Sequence, residues 1–504
     1  MDLLFLLLLL FSLLSLCLSV SACCYPSKRK PNSHLAFKSY PLLGIGPDFL
    51  RNRHRFFDWT SDILCWSPNN TTAYCRPGMH GILTANPLNV EHILRNNFDN
   101  YPKGPSHFHT LKDFLGRGIF NADGNIWKVQ RKIASFEFNT KSLRSFAITN
   151  VKEEIQTRLV PLLRKTSELN QVVDMQDILE RFAFDNICKL AFNVDPGCLG
   201  GDGTAGAEFM KAFDDASLLS VARFFDVHPL WWKTKKALNI GSERRLREAI
   251  RMVHDFSDNI IRSRMEEEGG KQSTEDLLSR FVADDLNSPE FLRDIVISFI
   301  LAGRDTTSST LAWFFWLLSS RPDIEHNILD ELKSIRTRTR KEIGDAYSFE
   351  ELREMHYLQA AISEALRLYP PVAMDTKVCL KDDVLPDGTS VRKGWVVTYH
   401  AYAMGRMECI WGKDCREFRP ERWLENGSCR QESPFRFSAF HAGPRMCLGK
   451  DMAYIQMKSI AASVVERFHI DVVDGLKCPE LLLSLTIRMK GGLPVRVKER
   501  CFHN

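Results

Sequence analysis

The stretch Phe440-His441-Ala442-Gly443-Pro444-Arg445-Met446-Cys447-Leu448-Gly449 holds one cysteine in a turn-rich segment, with glycines on either side. A helical pattern follows directly, from Lys450 to Met457. A thiol at a helix N-terminus lies in the positive end of the helix dipole, which favours the thiolate. Glycine lets the backbone approach a large planar ligand or adopt φ > 0, and Arg445 adds a fixed cation for a carboxylate. The stretch therefore predicts a ligand site built around a thiolate.

The spacing within this stretch indicates which ligand the thiolate would bind. A lone cysteine beside a turn is more often a buried structural thiol. Here five residues stand at the spacing FxxGxRxCxG, which chance rarely supplies: Phe440, Gly443, Arg445, Cys447 and Gly449. One thiolate, flanking glycines and a cation suggest an axial ligand to haem iron. On these residues the stretch resembles the haem-thiolate loop of the cytochrome P-450 monooxygenases.

Composition excludes some classes of protein. The 504 residues carry a formal net charge of only +5, and the chain has no RNA-binding motif or zinc spacing, so nucleic acid is not an expected partner. Hydrophobic residues make up 44% and aromatic residues 11%, enough for a sizeable core and an apolar pocket. The 14 cysteines are scattered along a long chain without a CxxC pair, which indicates reduced thiols rather than a disulfide framework.

The N-terminal segment predicts a membrane anchor. Leu3 to Val20 is an apolar run interrupted only by serines, and its length lies near the lower limit for a bilayer-spanning helix. A cleaved signal peptide is the alternative, since Val20-Ser21-Ala22 resembles a cleavage site. Asp2 precedes the run, whereas Lys28-Arg29-Lys30 follows it, which keeps the rest of the chain cytosolic. We expect an uncleaved anchor over residues 1–24, a proline-containing linker over 25–48 and one catalytic domain over 49–504.

The remaining sequence predicts mainly helices with small β-sheets. Residues 72–86 predict a hairpin around Pro77-Gly78. Residues 101–117, with two prolines and two glycines, predict a loop. A long helix is predicted from Ser288 to Ser320, with Ser288 as N-cap and a proline at the next position.

The long helix contains the polar hexapeptide Ala302-Gly303-Arg304-Asp305-Thr306-Thr307. Glycine costs about 1 kcal/mol relative to alanine inside a helix, so Gly303 indicates a close approach by another group. The Thr306 hydroxyl either relays protons beside Asp305 or bonds back to its i−4 carbonyl and bends the helix. The hexapeptide matches the oxygen-activating motif [AG]Gx[DE]T[TS] of the resembled family. The resemblance implies that Asp305 and Thr306 deliver protons during catalysis.

Two further motifs occur in the order of the resembled family. Trp127 and Arg131 share one helix face at i,i+4, and the resemblance implies that they hydrogen-bond a haem propionate. An ordinary aromatic and basic helix face fits the same spacing. Glu364 and Arg367 match the family's ExxR in a helix that Tyr369-Pro370 ends. The resemblance implies that these two residues and Arg422 form a buried network that braces the haem loop.

Three stretches carry a finer resemblance, to the plant fatty-acid omega-hydroxylases: residues 114–124, 130–138 and 399–407. It implies an NADPH- and O2-dependent monooxygenase that hydroxylates the terminal carbon of fatty acids. Terminal oxidation of a steroid side chain or of a jasmonoyl-amino-acid conjugate is the alternative, since function depends on the site rather than the fold. By position, the resemblance implies these substrate contacts: Phe108, Phe114, Phe299, Ala302, Val372, Ala373, Met374 and Leu485.

The resemblance also implies the cofactor, the fold and the partners. Haem b would lie between the long helix and the cysteine loop, with Cys447 as axial iron ligand and electron donor. The chain shows no GxGxxG strand–turn–helix unit or flavin domain. Electrons are therefore expected from NADPH through a separate NADPH–cytochrome P-450 reductase in the endoplasmic reticulum membrane, for a small lipophilic substrate. The rival classes are an electron-independent isomerase or lyase, whose members lose the helix threonine kept here as Thr306, and a haem sensor.

Overall fold

The computed structural model describes most of the chain beyond the N-terminal segment. The described residues are 37, 40, 44–138, 141–200, 204–226, 229–268, 277, 278, 281, 288–475 and 477–500. The predicted anchor over 1–24 and most of the predicted linker over 25–48 lie outside them. Within those ranges, no helix is both long enough and apolar enough to cross a membrane.

Helices account for most of the described chain, as predicted. In chain order they are α1 (Gly46–Asn52), α2 (Phe56–Trp66), α3 (Pro87–Glu91), α4 (Gly104–Leu115), α5 (Gly124–Phe138), α6 (Lys141–Glu154), α7 (Val160–Glu168), α8 (Met175–Phe192), α9 (Thr204–Phe225), α10 (Pro229–Leu238), α11 (Gly241–Glu268), α12 (Pro289–Ile300), α13 (Thr306–Ser319), α14 (Pro322–Thr339), α15 (Phe349–Glu354), α16 (His356–Leu368), α17 (Ala401–Met404), α18 (Glu408–Trp411) and α19 (Lys450–Arg467). Wider π turns occupy His92–Asn96, Ile155–Leu159 and Leu301–Asp305.

The strands are short and form small sheets. They are β1 (Thr71–Arg76), β2 (Met79–Thr84), β3 (Val172–Asp174), β4 (Asp375–Val378), β5 (Asp383–Val384), β6 (Ser390–Val391), β7 (Val396–Tyr399), β8 (Leu424–Glu425), β9 (Ser428–Cys429), β10 (Phe468–Val472), β11 (Leu481–Leu482), β12 (Arg488–Met489) and β13 (Pro494–Glu499). One sheet has the order β1-β2-β7-β4, in which β2 and β7 are parallel, and a second has the order β10-β13-β3. The predicted hairpin over residues 72–86 is confirmed as β1 and β2, paired from Thr71 to Thr84.

Local sequence rules account for the long helix. The Ser288 hydroxyl accepts a hydrogen bond from the Phe291 N–H at 3.2 Å, which confirms the predicted N-cap. Helical backbone then continues through α12, the π turn and α13 to Ser319. The predicted single helix is therefore present, with one widened turn inside it.

The prediction of a loop over residues 101–117 is wrong, because α4 occupies most of that range. Gly104 and Pro105 read as helix breakers, but proline in the first turn starts a helix. Gly104 adopts φ +82° with its backbone against Val378, where an added Cβ would lie 2.7 Å from that side chain. The two residues therefore begin α4 instead of interrupting it.

Three apolar clusters form the core. The first surrounds α13, α14, α16 and α19, where Trp313 stacks on Tyr369 with ring centroids 3.9 Å apart. The second joins α8, α9, α11 and α12, and the third packs under the sheet of β1, β2, β7 and β4. The π turn Leu301–Asp305 lies where α12 of the second cluster continues into α13 of the first.

Residues 201–206 carry the GxGxxG spacing of dinucleotide-binding turns. The element before them is α8, not a strand. Among the described residues before this spacing, no strand leads into it, as the dinucleotide-binding unit requires.

Candidate functional site

The cysteine loop is closed by its own backbone. The Cys447 N–H donates to the Phe440 carbonyl at 2.9 Å, and the Met446 N–H donates to the Gly443 carbonyl at 3.0 Å. Gly449 then starts α19, whose Ala453 N–H donates to the Gly449 carbonyl at 2.8 Å. The predicted helix after Cys447 is confirmed, so the thiol lies just before a helix N-terminus.

The two glycines of the loop serve different purposes. Gly443 adopts φ +65°, and an added Cβ would lie 1.9 Å from the Leu94 carbonyl oxygen. The group that approaches Gly443 most closely is thus the chain's own backbone. Gly449 has φ −87°, and an added Cβ would lie 3.4 Å from the Phe138 ring and 3.9 Å from Cys447 Sγ. A Cβ at Gly449 would therefore make ordinary contacts beside the sulfur.

The predicted cofactor residues of α5 meet the cysteine loop. The Arg445 guanidinium lies over the Trp127 ring, 4.4 Å from its centroid, and Arg131 donates a hydrogen bond to the Met446 carbonyl. Arg445 also donates to Asp123 Oδ1 at 2.7 Å. Residues more than 300 positions apart in the sequence are therefore neighbours of Cys447.

Asp123 links this loop to the start of α4. Besides Arg445, its carboxylate accepts hydrogen bonds from the Lys103 N–H at 3.0 Å and the Gly104 N–H at 2.9 Å. These two N–H groups lie at the N-terminus of α4, where an anion is favourable. One carboxylate thus holds both a helix start and the cysteine loop.

We infer that the Cys447 thiol faces a space inside the protein. Its side chain is exposed, yet burial by the surrounding protein raises the pKa of the thiol. Both observations hold if the exposed surface of Sγ opens into a space inside the protein. The Gly449 N–H, Arg131 and Lys450 lower the same pKa without outweighing burial. The Gly449 N–H at this helix N-terminus thus favours the thiolate, in the predicted direction, while desolvation acts against it and is the larger effect.

A second group of buried charges lies beside Arg445, on and around β4. Asp375 accepts hydrogen bonds from Lys103 Nζ at 2.5 Å and Lys377 Nζ at 2.8 Å. His441 Nε2 lies 3.1 Å from the same carboxylate. Burial lowers the pKa of Lys377 to about 7, and the nearby cations Lys103 and Arg445 act in the same direction. Lys377 would regain its proton if an anion bound here.

The charges around the loop do not balance. Lys103, Lys377 and Arg445 are three basic side chains, whereas Asp123 and Asp375 supply two negative charges. Arg131 adds a fourth basic side chain, which donates to the neutral carbonyl of Met446. These bases cannot all stay charged when buried without a further counter-ion, which agrees with the lowered pKa of Lys377. A ligand that carries carboxylates, such as haem b with its two propionates, fits this region and the space beside Cys447.

The predicted proton-delivery residues lie at the π turn. Thr306 Oγ1 donates to the Ala302 carbonyl at 2.6 Å, which is the i−4 bond weighed as the alternative. An added Cβ at Gly303 would lie 2.5 Å from the Ile187 side chain of α8, so the close approach predicted at this glycine is made by a packed helix. Asp305 is buried, and its carboxylate lies 3.0 Å from Arg304 Nη1.

Glu364, Arg367 and Arg422 form one buried hydrogen-bonded network. Glu364 Oε1 accepts from Arg367 Nη2 at 2.7 Å and from Arg422 Nε at 2.9 Å. Oε2 accepts from Arg367 Nε at 2.7 Å and from Trp423 Nε1 at 2.8 Å. Arg367 also donates to the Cys415 carbonyl at 2.6 Å. The network therefore ties α16 to the segment that leads to the cysteine loop.

The predicted substrate residues fall into two groups. Phe114, Phe299 and Leu485 belong to the second apolar cluster or pack against it, and Phe114 has no exposed surface. The remaining residues lie around the π turn, on α4 or before β4, and range from buried Ala373 to exposed Val372: Phe108, Ala302, Val372, Ala373 and Met374.

Some site residues were missed by sequence reasoning. Lys377 and Asp375 stand on a short strand, and no motif marks them. Arg304 carried a usable signal, because a fully buried arginine in an apolar helix requires acidic partners. Those partners are Glu180 and Asp214, which approach Arg304 from α8 and α9.

An enclosed cysteine beside a surplus of buried positive charge fits a dicarboxylic macrocycle bound through its metal, which defines a haem-thiolate site. A family model described as Cytochrome P-450 matches residues 71–490. Because this match covers most of the 504 residues, the chain belongs to the cytochrome P-450 family.

Relatives match the chain over nearly its whole length. Cytochrome P-450 CYP94D108 of Paris polyphylla is 51% identical over 94% of this chain and 94% of its own. Cytochrome P-450 94A1 of Vicia sativa is 46% identical over 92% of this chain and 90% of its own. Cytochrome P-450 94B1 of Arabidopsis thaliana is 47% identical over 92% of this chain and 91% of its own.

Family membership settles the class of enzyme. The protein is a plant haem-thiolate monooxygenase that uses haem b, receives electrons from NADPH through a redox partner and acts on a lipophilic substrate. The predictions of the family, of the mainly helical fold with small sheets and of the cofactor are confirmed.

Proposed function

We propose that this enzyme hydroxylates the terminal carbon of fatty acids. The observation that carries the proposal is the position of residues 114–124, which resemble the plant fatty-acid omega-hydroxylases. Gly116 and Gly118 pack so closely on α12 that an added Cβ would lie 2.0 Å from Asp294 Oδ1 and 2.2 Å from Ser298 Oγ, respectively. Ser298 is one helical turn before Ala302. The resembling stretch thus adjoins the helix turn that leads into the π turn and Thr306.

The apolar surroundings support a long hydrocarbon substrate. The second apolar cluster contains Phe114 and Phe299, and Leu485 packs against it. The polar hexapeptide that begins at Ala302 lies next to that cluster. A methyl end among such side chains gains from leaving water, by about 0.8 kcal/mol for each buried CH2. A terminal methyl that reaches Ala302 would be next to Thr306.

The chain's own residues would bind the cofactor and move protons. When bound, haem b supplies the dioxygen and C–H chemistry of the family. Cys447 would be its axial ligand, and its other contacts would be these: Trp127, Arg131, Phe440, Gly443, Arg445 and Gly449. Asp305 and Thr306 would hold and pass protons at the π turn. Glu364, Arg367 and Arg422 would brace the loop rather than take part in the chemistry.

Membrane attachment and the particular redox partner belong to the same proposal. Residues 1–24 would form an uncleaved anchor in the endoplasmic reticulum membrane, and residues 49–504 would form the cytosolic catalytic domain. The apolar run from Leu3 to Val20 and the cations at Lys28-Arg29-Lys30 support this orientation. NADPH–cytochrome P-450 reductase would then meet the domain from the same membrane.

Product analysis tests the substrate. Holoenzyme with reductase and NADPH would receive, in parallel, a medium-chain fatty acid, a jasmonoyl-isoleucine conjugate and a side-chain-hydroxylated sterol. Mass spectrometry would locate the added oxygen. Hydroxylation of the fatty acid at its terminal carbon is the expected result. Turnover of the sterol or the conjugate alone, or hydroxylation away from the terminus, would contradict the proposal.

Thr306→Ala tests proton delivery. We expect NADPH consumption to continue while product falls and hydrogen peroxide rises. Thr310→Ala is the matched control, since Thr310 makes the same i−4 bond one turn later, at 2.8 Å to the Thr306 carbonyl. If both variants formed the same amount of product per NADPH consumed, the proposed role of Thr306 in proton delivery would be contradicted.

A further inference from the structure

The end of α4 is tied to α12 by a single carboxylate. Asp294 Oδ2 accepts a hydrogen bond from the Arg117 N–H at 2.7 Å. Gly116 adopts φ +51°, and its backbone lies so close to the same carboxylate that an added Cβ would be 2.0 Å from Oδ1. We call residues 116–118 the glycine turn. The turn follows directly after Leu115, the last residue of α4, so Asp294 fixes the place where this helix ends.

Two uncharged side chains hold the glycine turn from its other sides. Gln130 Nε2 of α5 donates to the Arg117 carbonyl at 2.7 Å, and Asn121 Nδ2 donates to the Gly116 carbonyl at 2.9 Å. Neither amide changes its charge with pH. Among the described residues, Asp294 is thus the titratable side chain that bonds to the backbone of the turn.

The charge of Asp294 is poorly compensated. No basic side chain of the described residues forms an ion pair with it, since its neighbour Arg293 binds Asp258 of α11 instead, at 2.7 and 2.8 Å. Burial therefore raises the pKa of Asp294 to about 6, although the Arg117 N–H lowers it. The charged and titratable groups around it are these: Arg117 of the turn, Arg293 and Glu290 of α12, and Asp258 and His254 of α11.

The ionised carboxylate holds the turn more firmly than the neutral acid does. A hydrogen bond to a charged acceptor is roughly twice as strong as one to a neutral acceptor. Because the pKa of Asp294 is about 6, the group is charged at neutral pH and becomes protonated as pH falls through that value. The hold on the end of α4 therefore weakens in acidic solution.

A shift of α4 would change which carbon of the substrate is attacked. This helix carries two of the proposed substrate contacts, Phe108 and Phe114, and the Phe114 ring in its last turn packs on Phe213 of α9 with centroids 5.1 Å apart. A methyl C–H bond is stronger than a methylene C–H bond, so attack on the terminal carbon requires a site that keeps the adjacent carbons away. A misplacement of about 1 Å can change a rate about 10²-fold. A small movement of the helix end is thus sufficient.

We propose that Asp294 is a positioning residue that keeps hydroxylation at the terminal carbon by holding the glycine turn against α12. The inference rests on the proposed function, because it assigns the control of that same site. Asp294 acts through the turn and Phe114 rather than on the substrate. At neutral pH the turn is held and the terminal methyl is attacked. In acidic solution the hold weakens, and attack spreads to the adjacent methylene.

The first measurement does not involve turnover. Hydrogen–deuterium exchange of the holoenzyme, followed by mass spectrometry, reports on the Arg117 N–H in peptides that span the glycine turn. At neutral pH, Asp294→Asn should exchange several-fold faster there than the wild type, because the charged acceptor is lost. The matched control is Glu290→Gln, which changes an exposed acid one helical turn earlier that interacts with Ser288, and it should exchange like the wild type. Equal exchange in Asp294→Asn and the wild type would overturn the proposal.

The second measurement is the position of the hydroxyl group in products of a medium-chain fatty acid, formed with reductase and NADPH. In the wild type and in Glu290→Gln, the ratio of terminal to subterminal product should fall about tenfold as pH drops through about 6. Asp294→Asn should show the low ratio at every pH. A role confined to stability would reduce the yield of folded Asp294→Asn without moving the ratio. A wild-type ratio that does not change with pH, or a normal ratio in Asp294→Asn, would overturn the proposal.

The outcomes separate this inference from the proposed function. If Asp294→Asn does not fold, the pH profile of the wild type decides, because it needs no variant. If the wild type turns over the sterol or the conjugate instead of the fatty acid, the proposed function fails, and the ratio of terminal to subterminal product on that substrate tests the inference. Terminal hydroxylation of the fatty acid at every pH would support the proposed function and refute the inference alone.

Discussion

Among single residues, Glu364 has the most fully satisfied charge near the site. Its two oxygens accept hydrogen bonds from Arg367, Arg422, Trp423 and the Arg419 N–H, and its side chain has no exposed surface. A buried carboxylate is tolerable only because each lone pair is used. Any change at this position leaves buried donors without acceptors.

We therefore expect Glu364→Gln to lower the free energy of unfolding by about 3 to 5 kcal/mol, because it leaves Arg367 without a counter-ion. Chemical denaturation followed by fluorescence would measure this, together with the haem content of the purified protein. Glu425→Gln changes an exposed glutamate in the nearby β8, and its effect should stay within about 0.5 kcal/mol. Equal stability of the two variants would contradict the assigned network.

Gly443 and Gly449 belong to one motif but differ in backbone conformation and in the space available for a Cβ atom. Gly443→Ala forces a Cβ against the Leu94 carbonyl at a positive φ, so we expect a loss of at least about 2 kcal/mol of stability. Gly449→Ala has ordinary contacts and a negative φ, so we expect it to leave stability unchanged or to raise it by about 0.4–1 kcal/mol, as for Gly to Ala at an accommodating site. Thermal unfolding would measure the stability of both variants. A Gly443→Ala protein as stable as Gly449→Ala would contradict the prediction.

At the scale of elements, α5 presents a face suited to a redox partner. Arg131 reaches the cysteine loop from this helix, while Lys128, Val129 and Lys132 are exposed beside it. Cations around an apolar residue favour a partner with acidic groups, and such groups mainly influence the rate of association.

Charge reversal tests that face. Lys128→Glu combined with Lys132→Glu should raise several-fold the reductase concentration needed for half-maximal turnover and weaken its dependence on salt, because the long-range attraction is removed. Lys333→Glu, at an exposed position of α14, should leave the reductase concentration for half-maximal turnover and its salt dependence unchanged. Reductase titrations at two ionic strengths provide the measurement, and identical titrations in all variants would rule out docking on α5.

The elements also show how far sequence alone could go. The hairpin and the N-cap at Ser288 follow from residues within a few positions of each other, and both were predicted. Helix α4 was missed, because its start depends on Asp123 and Val378, which are distant in sequence. The close approach at Gly303 likewise comes from Ile187, which is more than 100 positions away in sequence.

The same distinction applies to the candidate site. A fixed spacing marked Cys447 and its loop, and i,i+4 spacing marked Trp127 and Arg131. The pairing of Lys377 with Asp375, and of Arg304 with three acids, depends on which helices and strands pack together. Local sequence rules do not predict which helices and strands pack together, so these ion pairs could be identified only in the structure.

Across the whole molecule, several buried carboxyl groups lose their protons at higher pH than an ordinary carboxyl group does. Burial raises the pKa of Glu154 to about 7 and that of Asp294 to about 6. A carboxyl group whose pKa is higher in the folded state than in the unfolded state stabilises the fold at low pH. That contribution is lost as pH rises from the unfolded pKa through the folded one.

For Glu154 the window lies between about pH 4.5 and 7. Relative to the wild type, Glu154→Gln should therefore gain on the order of 2 kcal/mol in unfolding free energy as pH rises from 5 to 8, because the variant has no proton to lose. Urea denaturation at both pH values would measure the double difference. Glu153→Gln, next to it in sequence, is the control, and a double difference of zero for Glu154→Gln would show that its pKa is ordinary.

Asp123 has a consequence for how such enzymes diversify. Its carboxylate fixes the first residues of α4 to the loop that holds Cys447, so one end of the helix is tied to the invariant chemistry and the other end is not. With Phe114 in its proposed contact with substrate, we expect substitutions near it to change which substrate is accepted and to leave the cysteine loop unchanged. Substitutions near Lys103 should change the helix start and the cysteine loop together, because Asp123 bonds to both. New selectivities should thus accumulate at one end of a single helix.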